Sequence, residues 1–286
     1  MAILVTGASG GFGKVLFPLL RAYYNEPVVC TGRSRLDRGD YFTCDLTNVR
    51  AVDDLIKDIR PRLIFHLAGS FSGQFETDFQ VNTLGVKFIF DSILAEGMET
   101  RVLVFGSAAE YGAIEVSDNP IPETLPCRPV SVYGLTKAFQ TDMAKYYART
   151  KGIDVVVARV FNIAAPGLSQ RLFYGRAEAM ISAYQKGEIT QLEFGNLDNA
   201  RDYIEIDKAA DQLLAIAERG TSGEIYNVGS GIPKKIRSIL KDLLKEKGVP
   251  EDAVAESIPE IIRGKGFDVQ IIYADISKVS KLMVYP

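Results

Sequence analysis

Over its first half the chain alternates short, nearly continuous apolar runs with stretches whose apolar residues recur every three or four positions. Ala2–Thr6, Pro27–Cys30, Tyr41–Cys44, Leu63–Leu67, Arg101–Phe105 and Asp154–Val160 read as strands. Phe12–Tyr24 carries Val15, Leu16, Leu19 and Leu20 on one helical face, and Asn48–Arg60 carries Val49, Val52, Leu55, Ile56 and Ile59. Leu84–Leu94 and Tyr133–Thr150 complete the helical set. Strands without an alternating polar face must be covered on both sides, so the pattern predicts a parallel sheet between two helical layers. Right-handed crossovers then give a doubly wound, Rossmann-type α/β fold.

Beyond Pro166 the pattern loosens. A loop-rich stretch with Arg171 and Arg176 leads to a helix at Ala177–Lys186, then a strand-like Gln191–Phe194 and a helix at Lys208–Ala217. Tyr226–Val228 reads as a further strand and Ile236–Lys247 as a helix, and an irregular tail ends in a strand-like Val269–Tyr273. The expected organisation is a dinucleotide-binding domain over residues 1–165, rejoined by about 201–228. A smaller substrate lobe takes 166–200 and 229–286, and the site lies in the cleft between them.

Composition removes several classes of function. A hydrophobic content of 47% excludes a mainly disordered chain, and a net charge of −3 argues against gripping nucleic acid. No apolar run approaches the ~20 residues of a membrane span. The first residues run straight into Gly7 with no room for a leader, so a cytoplasmic protein is expected. Cys30, Cys44 and Cys127 are scattered without C-x-x-C spacing, which fits reduced thiols. The single histidine, His66, sits in an apolar run and cannot build a metal site alone, so no metal is expected and the side chain reads as structural.

The chemistry begins at Thr6-Gly7-Ala8-Ser9-Gly10-Gly11-Phe12-Gly13, between the first strand and the first helix. Glycines there permit a tight turn and close backbone approach, while the helix start offers N–H groups to a pyrophosphate. The spacing G-x-x-G-x-x-G departs from the G-x-G-x-x-G fingerprint. The second strand ends Cys30-Thr31-Gly32-Arg33-Ser34-Arg35, with no acid before Asp37. A ribose 2′-hydroxyl calls for a carboxylate there, whereas a 2′-phosphate calls for cations. Arg33, helped by Ser34 or Arg35, therefore favours NADP(H) over NAD. Asp45-Leu46 follows the third strand, where a carboxylate can accept from an adenine amino group.

Tyr133 and Lys137 lie four apart on a helix and so share a face. An ammonium beside a phenol lowers the phenol's pKa toward working pH, which makes Tyr133 a candidate acid/base at a reacting carbon's oxygen. Ser107 ends the preceding strand in Phe105-Gly106-Ser107-Ala108-Ala109-Glu110-Tyr111-Gly112, at the carboxyl edge of the sheet, and can hold the same oxygen.

With these residues in place, the chain resembles an extended short-chain dehydrogenase/reductase of the NAD-dependent epimerase/dehydratase family over almost its whole length. The resemblance rests on Thr6 to Gly13, Asp45-Leu46, His66-Leu67-Ala68-Gly69, Asn82, Ser107, Tyr133 with Lys137, Phe161-Asn162, Arg201-Asp202-Tyr203-Ile204 and Asn227-Val228-Gly229. It implies a catalytic triad of Ser107, Tyr133 and Lys137, and a cofactor site that includes Leu67, Ala68, Gly69 and Asn82. It also implies that Asn162 contacts a sugar diphosphate and that Arg201 meets the nucleotide's phosphate or ribose. Arg263 and Asp268 resemble late residues near the nucleoside, and Arg171 and Arg176 are further candidates for an anionic substrate. The glycine spacing is that family's own. Relatives often continue past Pro286 into another helix.

Three reactions fit such a site: dehydration, epimerisation, and reduction of a 4-keto sugar. Dehydratases resembling this chain carry an acid/base at the position of Ala109, so dehydration is not expected. Epimerases of the family usually retain NAD. Arg33 points instead to NADP(H), and the Gly106-Ser107 motif and Phe194-Gly195-Asn196-Leu197 look most like GDP-4-keto-6-deoxymannose reductases and related deoxysugar 4-ketoreductases. The expected activity is thus NADPH-dependent reduction of a GDP- or dTDP-linked sugar; epimerisation is the alternative, and a dinucleotide-sensing module the non-enzyme one. Phe88, Ile89 and Phe90 cover more than one side of their helix, and the family commonly pairs this helix with Tyr133–Thr150 in a two-fold four-helix bundle, so a homodimer is expected.

Overall fold

The alternation of the first half is realised as one sheet. The computed structural model describes residues 2–34, 39–256 and 269–283; Arg35, Asp37, Arg263 and Asp268 lie outside the described residues. The first elements are β1 (Ala2–Thr6), α1 (Gly11–Tyr23), β2 (Val28–Gly32), β3 (Tyr41–Thr43), α2 (Val49–Ile59) and β4 (Pro61–His66). A three-part helix follows: α3 (Phe75–Phe79), a π turn over Gln80–Leu84, and α4 (Gly85–Ala95). It begins nine residues before the expected Leu84, because Phe75 and Phe79 continue the helical spacing upstream. Then come β5 (Arg101–Ser107), α5 (Val132–Lys151) and β6 (Val155–Val160).

The second half supplies β7 (Asn162–Ala164), α6 (Phe173–Gln185), β8 (Leu192–Phe194), β9 (Ala200–Glu205), α7 (Ile206–Arg219) and β10 (Ile225–Val228). After these come β11 (Pro233–Lys235), α8 (Ile236–Lys247), β12 (Val254–Glu256), β13 (Ile271–Ile272) and α9 (Ser277–Met283). Seven strands form the main sheet in the order β3-β2-β1-β4-β5-β6-β10, and every neighbouring pair is parallel. A smaller sheet is built on β9, which pairs with β7, β11 and β13.

Local chemistry sets the helix ends. The Asn48 side chain caps α2 by accepting from Ala51 N–H, and Ser131 caps α5 by accepting from Gly134 N–H at 3.0 Å. Gly152, at φ +70°, closes α5 in the left-handed conformation.

Alternate residues of each strand feed opposite cores. Ile3, Val5, Phe65 and Leu103 pack with Leu16 and Leu20 of α1 and Leu213 and Ile216 of α7 on one face. Leu4, Ile64, Val102 and Val104 pack with Val52 and Ile56 of α2 and Val86, Ile89 and Phe90 of α4 on the other. Each such side chain contributes roughly 1.5–3 kcal/mol by leaving water. A separate cluster joins Ile181 of α6, Leu192 and Phe194 of β8, and Leu240, Leu243 and Leu244 of α8. Two expectations change. Val49 is exposed rather than on the apolar face of α2, and Ile89 and Phe90 are fully buried in their own core, leaving only Phe88 partly exposed.

Candidate active site

Strand order reverses at β1, with β2 and β3 on one side and β4 through β10 on the other, which opens a crevice above the carboxyl ends of β1 and β4. The glycine turn lines it. Gly7 has φ +71°, and a Cβ there would stand 2.6 Å from the Ala68 backbone. A Cβ on Gly13 would lie 2.3 Å from the Gly7 carbonyl oxygen and 2.5 Å from Ala8 Cα, so only glycine lets α1 start this close to β1. Gly10 caps α1 without a side-chain hydrogen bond, and the first turn holds no acid. By position the N–H groups of Gly11, Phe12 and Gly13 have no intrahelical acceptor and carry the positive end of the helix dipole. An uncapped helix start beside side-chain-free backbone fits a dinucleotide's pyrophosphate. Phe12 turns inward against Phe105, with ring centroids 5.1 Å apart. A Cβ on Gly32 would meet Ser9 Oγ at 2.4 Å, which places the Ser9 hydroxyl over the end of β2.

Arg33 and Ser34 follow β2 directly and are exposed. The Tyr41 hydroxyl donates to the Ser34 carbonyl at 2.6 Å and ties this loop to β3. Asp45 is exposed and accepts from Thr47 N–H at 3.0 Å and from the Thr47 hydroxyl at 2.8 Å. Those two bonds, aided by the charge of Arg33, hold its carboxyl below the usual range. Leu46 is buried, within van der Waals reach of a Cβ built on Gly85.

Ser107 ends β5 in extended backbone and begins a short turn. Its Oγ accepts from Ala109 N–H at 3.2 Å, and its own N–H donates to Glu110 Oε1 at 2.8 Å. Tyr133 stands in the first turn of α5, with its ring edge-on to Phe71 at 5.0 Å between centroids. Burial pushes the phenol's pKa above its ordinary value, and a hydrogen bond with the Ser107 hydroxyl pulls the other way. Lys137, one turn on, is buried and donates to the Phe105 carbonyl and to Gln140 Oε1, the latter at 2.6 Å. Burial pushes its pKa down to about 8. The expected lowering of the phenol by Lys137 is therefore not what the folded chain shows. Burial raises the phenol, and the ammonium is directed to Phe105 and Gln140.

A layer beneath supports these groups. Asn82, in the π turn, is fully buried and donates to the Ser70 carbonyl at 3.0 Å and to the Thr136 hydroxyl at 2.9 Å. Its Oδ1 accepts from Ser70 N–H at 2.7 Å, so it clamps the end of the Leu67–Ser70 loop to α5. A Cβ on Gly69 would lie 3.3 Å from Asn82 Oδ1 and 3.9 Å from Lys137 Nζ. His66 is buried with Nδ1 3.0 Å from the Thr6 hydroxyl. Burial, then the charge of Lys137, pushes its pKa down to about 3, so it is neutral.

The remaining residues come from the second half. Asn162 donates to the Asp202 carbonyl at 3.0 Å. Arg201, on β9, stands in register between Lys234 and Ile272 and donates to the Ala200 carbonyl at 2.9 Å. Arg171 donates to the Phe71 carbonyl at 2.6 Å, which brings it to the loop flanking Tyr133. Arg176 instead donates to the Glu193 carbonyl at 2.8 Å and lies over the Phe194 ring, away from that loop. Two acids carried more weight than the sequence revealed. Asp202 is fully buried and accepts from Ser230 N–H, Ser230 Oγ–H, Gly231 N–H and Ala274 N–H at 2.7, 2.7, 2.9 and 3.1 Å. The Arg201-Asp202-Tyr203-Ile204 motif marks its position, but its role in holding the Ser230-Gly231 turn and Ala274 shows only in the fold. Glu110 is buried on the side of Arg159, its Oε2 2.8 Å from the Arg159 Nε. Among the described residues no cluster of His, Cys, Asp or Glu can hold a metal, and no helix is long and apolar enough to cross a membrane.

A profile of the NAD dependent epimerase/dehydratase family matches residues 3–229. A GDP-6-deoxy-D-mannose reductase from Pseudomonas aeruginosa is 28% identical over 246 residues, covering 84% of this chain and 78% of that protein. A GDP-6-deoxy-D-talose 4-dehydrogenase from Aggregatibacter actinomycetemcomitans is 31% identical over 245 residues, again 84% of this chain and 78% of that one. The solved structure of RMD from Pseudomonas aeruginosa complexed with NADPH has a TM-score of 0.84 at 24% identity, covering 99% of this chain and 92% of that chain. At that identity the likeness speaks for the fold.

Proposed function

We propose that this chain, which belongs to the NAD dependent epimerase/dehydratase family, uses NADPH to reduce the C4 ketone of a nucleotide-linked 4-keto-6-deoxyhexose. By family it is an NAD(P)-dependent oxidoreductase of the short-chain dehydrogenase/reductase type. The direction and substrate are the proposed part. One observation carries the chemistry at the carbonyl: the hydrogen-bonded Ser107 and Tyr133 stand ready to donate, while the nearby carboxylate, Glu110, is locked against Arg159. That arrangement serves protonation of a carbonyl oxygen and lacks a free acid/base for elimination.

Gly7, Ser9, Gly10, Gly11, Phe12 and Gly13 would hold the pyrophosphate end, with Leu67, Ala68, Gly69 and Asn82 beside it. Arg33 and Ser34, exposed after β2 with no acid between them and the strand, favour a 2′-phosphate and hence NADP over NAD. Bound there, the reduced nicotinamide supplies hydride to C4. Tyr133 gives its proton to the C4 oxygen; its raised pKa means that it enters the reaction protonated. The Ser107 oxygen accepts from Ala109 N–H, and its O–H, which reaches the Tyr133 phenol, would turn to stabilise the same developing alkoxide when substrate is bound. Lys137, one turn along α5 and held by Phe105 and Gln140, would hold the nicotinamide ribose. Arg201, Asn162 and Arg171 are the groups offered to an anionic nucleotide diphosphate. The names of the two relatives favour a GDP-linked sugar.

A homodimer belongs to the same reading. Phe75, Phe139 and Tyr146 are exposed, Phe75 stacks on Phe79 at 5.5 Å, and Phe79 meets Phe139 edge-on at 6.0 Å. This apolar stripe joins α3 to α5, and a second copy's stripe would cover it as a four-helix bundle. The function is tested by following NADPH oxidation with GDP-, dTDP-, UDP- and CDP-linked 4-keto-6-deoxyhexoses. Oxidation is expected, fastest with the GDP or dTDP sugar. No oxidation with any of the four would sink the proposal.

A further inference from the structure

Glu110 and Arg159 form a buried ion pair that the reaction above does not use. Their side chains are 0% and 5% exposed, with Arg159 Nε 2.8 Å from Glu110 Oε2. Removing both charges from water costs several kcal/mol per ion, and well-packed apolar residues usually serve stability as well. The pair therefore calls for a reason other than holding the chain folded.

The other carboxylate oxygen supplies one. Glu110 Oε1 accepts the Ser107 N–H at 2.8 Å, while Oε2 also accepts the Thr141 hydroxyl of α5 at 2.8 Å. The same carboxylate thus touches the strand end that carries Ser107 and the helix that carries Tyr133 and Lys137. Arg159 is itself fixed, its guanidinium 4.8 Å over the Tyr111 ring, and the Tyr111 hydroxyl donates to Asn227 Oδ1 at 2.7 Å. Gly106 makes room: a Cβ there would lie 2.6 Å from Glu110 Oε1.

We propose that Glu110, anchored by Arg159, is a positioning residue that fixes the Ser107 hydroxyl against the Tyr133 phenol and so against the oxygen to be protonated. The proposal rests on the reductase reading. With its N–H held by Glu110 and one lone pair of its Oγ taken by Ala109 N–H, Ser107 is held in place and its proton has fewer directions left. Freed from Glu110, the strand end can rotate and the hydroxyl can find another acceptor. A misplaced donor loses transition-state stabilisation while leaving binding of cofactor and nucleotide unchanged.

The test pairs two double variants that both lack the buried charges. In Glu110→Gln with Arg159→Met an amide oxygen can still accept the Ser107 N–H; in Glu110→Ala with Arg159→Met nothing can. The alanine pair is expected to lose kcat by about 10- to 100-fold, with KM for the sugar and NADPH affinity within about threefold, and the glutamine pair to stay within about threefold of wild type. Adding Ser107→Ala to the alanine pair is expected to leave it no slower than Ser107→Ala alone, because Glu110 acts through that hydroxyl. Equal activity of the two pairs, or losses that multiply with Ser107→Ala, would overturn the proposal. Should the alanine pair fail to fold, Gly106→Ala displaces the same carboxylate and is expected to lose kcat alone. NMR titration of isotope-labelled tyrosine needs no sugar: the Tyr133 phenol is expected to titrate higher in the alanine pair than in the glutamine pair. A wild type that reduces no sugar would refute the function, whereas an unmoved phenol would refute the positioning role.

Discussion

At the scale of single residues, the sequence names the reacting groups because chemistry and helical spacing coincide. Tyr133 and Lys137 share a face of α5, and Ser107 closes the neighbouring strand. It does not show their protonation, which depends on burial and on partners far away in the chain. Arg159, 49 positions from Glu110, is the buried partner that engages this acid. Lys137 illustrates the consequence. Its folded pKa of about 8 lies below the ordinary 10.5, because burial disfavours the charged form. Folding therefore bears the full cost of that charge below about pH 8, and the cost vanishes as the pH rises to 10.5, where the unfolded chain is neutral too. The unfolding free energy of wild type relative to Lys137→Met is expected to rise across that window by roughly 3 kcal/mol, measured by denaturant titration. A flat difference would contradict the burial of the ammonium.

At the scale of elements, what was legible depended on whether a segment forms its own pattern. The strands of the main sheet carry unbroken apolar runs and were read to within a few residues. The strand β9 was not, because Ala200–Glu205 mixes Arg201 and Asp202 with Tyr203 and Ile204 and is made a strand by three short partners. The helix α9 lay hidden in an irregular tail, and Val279 is its one buried residue among the described residues. The glycine turn lies between these cases: its position was plain, but the need for each glycine is visible only in the packing. Gly13→Ala forces a methyl into the Gly7 carbonyl and the Ala8 backbone, neither of which can yield like a flexible side chain. It is expected to destabilise the fold by about 2 kcal/mol or more and to weaken NADPH binding at least about tenfold, by thermal unfolding and fluorescence titration. Gly167→Ala is the control, since its Cβ would meet nothing within 4 Å and only its φ of +78° resists the change. Its effect is expected to stay near 1 kcal/mol, with NADPH binding unchanged.

At the scale of the whole molecule, the sheet brings the ends of β1, β4, β5 and β6 to one edge, and the second half of the chain closes over it through Arg171 and the β9 sheet. The aromatic stripe of α3 and α5 lies apart from both cores. The expectation of a partner surface at Phe88–Phe90 fell on residues that are mostly core, because periodicity alone cannot say which side of a wide apolar face meets the sheet. Phe139→Glu, placed in the exposed stripe, is expected to shift the protein from dimer to monomer in analytical ultracentrifugation, with secondary structure unchanged. A wild type that sediments as a monomer at micromolar concentration would remove the dimer from the account.

The central claim is that the site spends NADPH to reduce a ketone at C4, rather than passing one sugar through oxidation and back. It is tested most directly with NADPH deuterated on the face of the nicotinamide that donates hydride, mixed with the 4-keto sugar the enzyme accepts. The account predicts one deuterium at C4 of a single product epimer for each NADPH consumed. Sugars that interconvert at C4 without consuming NADPH or acquiring deuterium would contradict it.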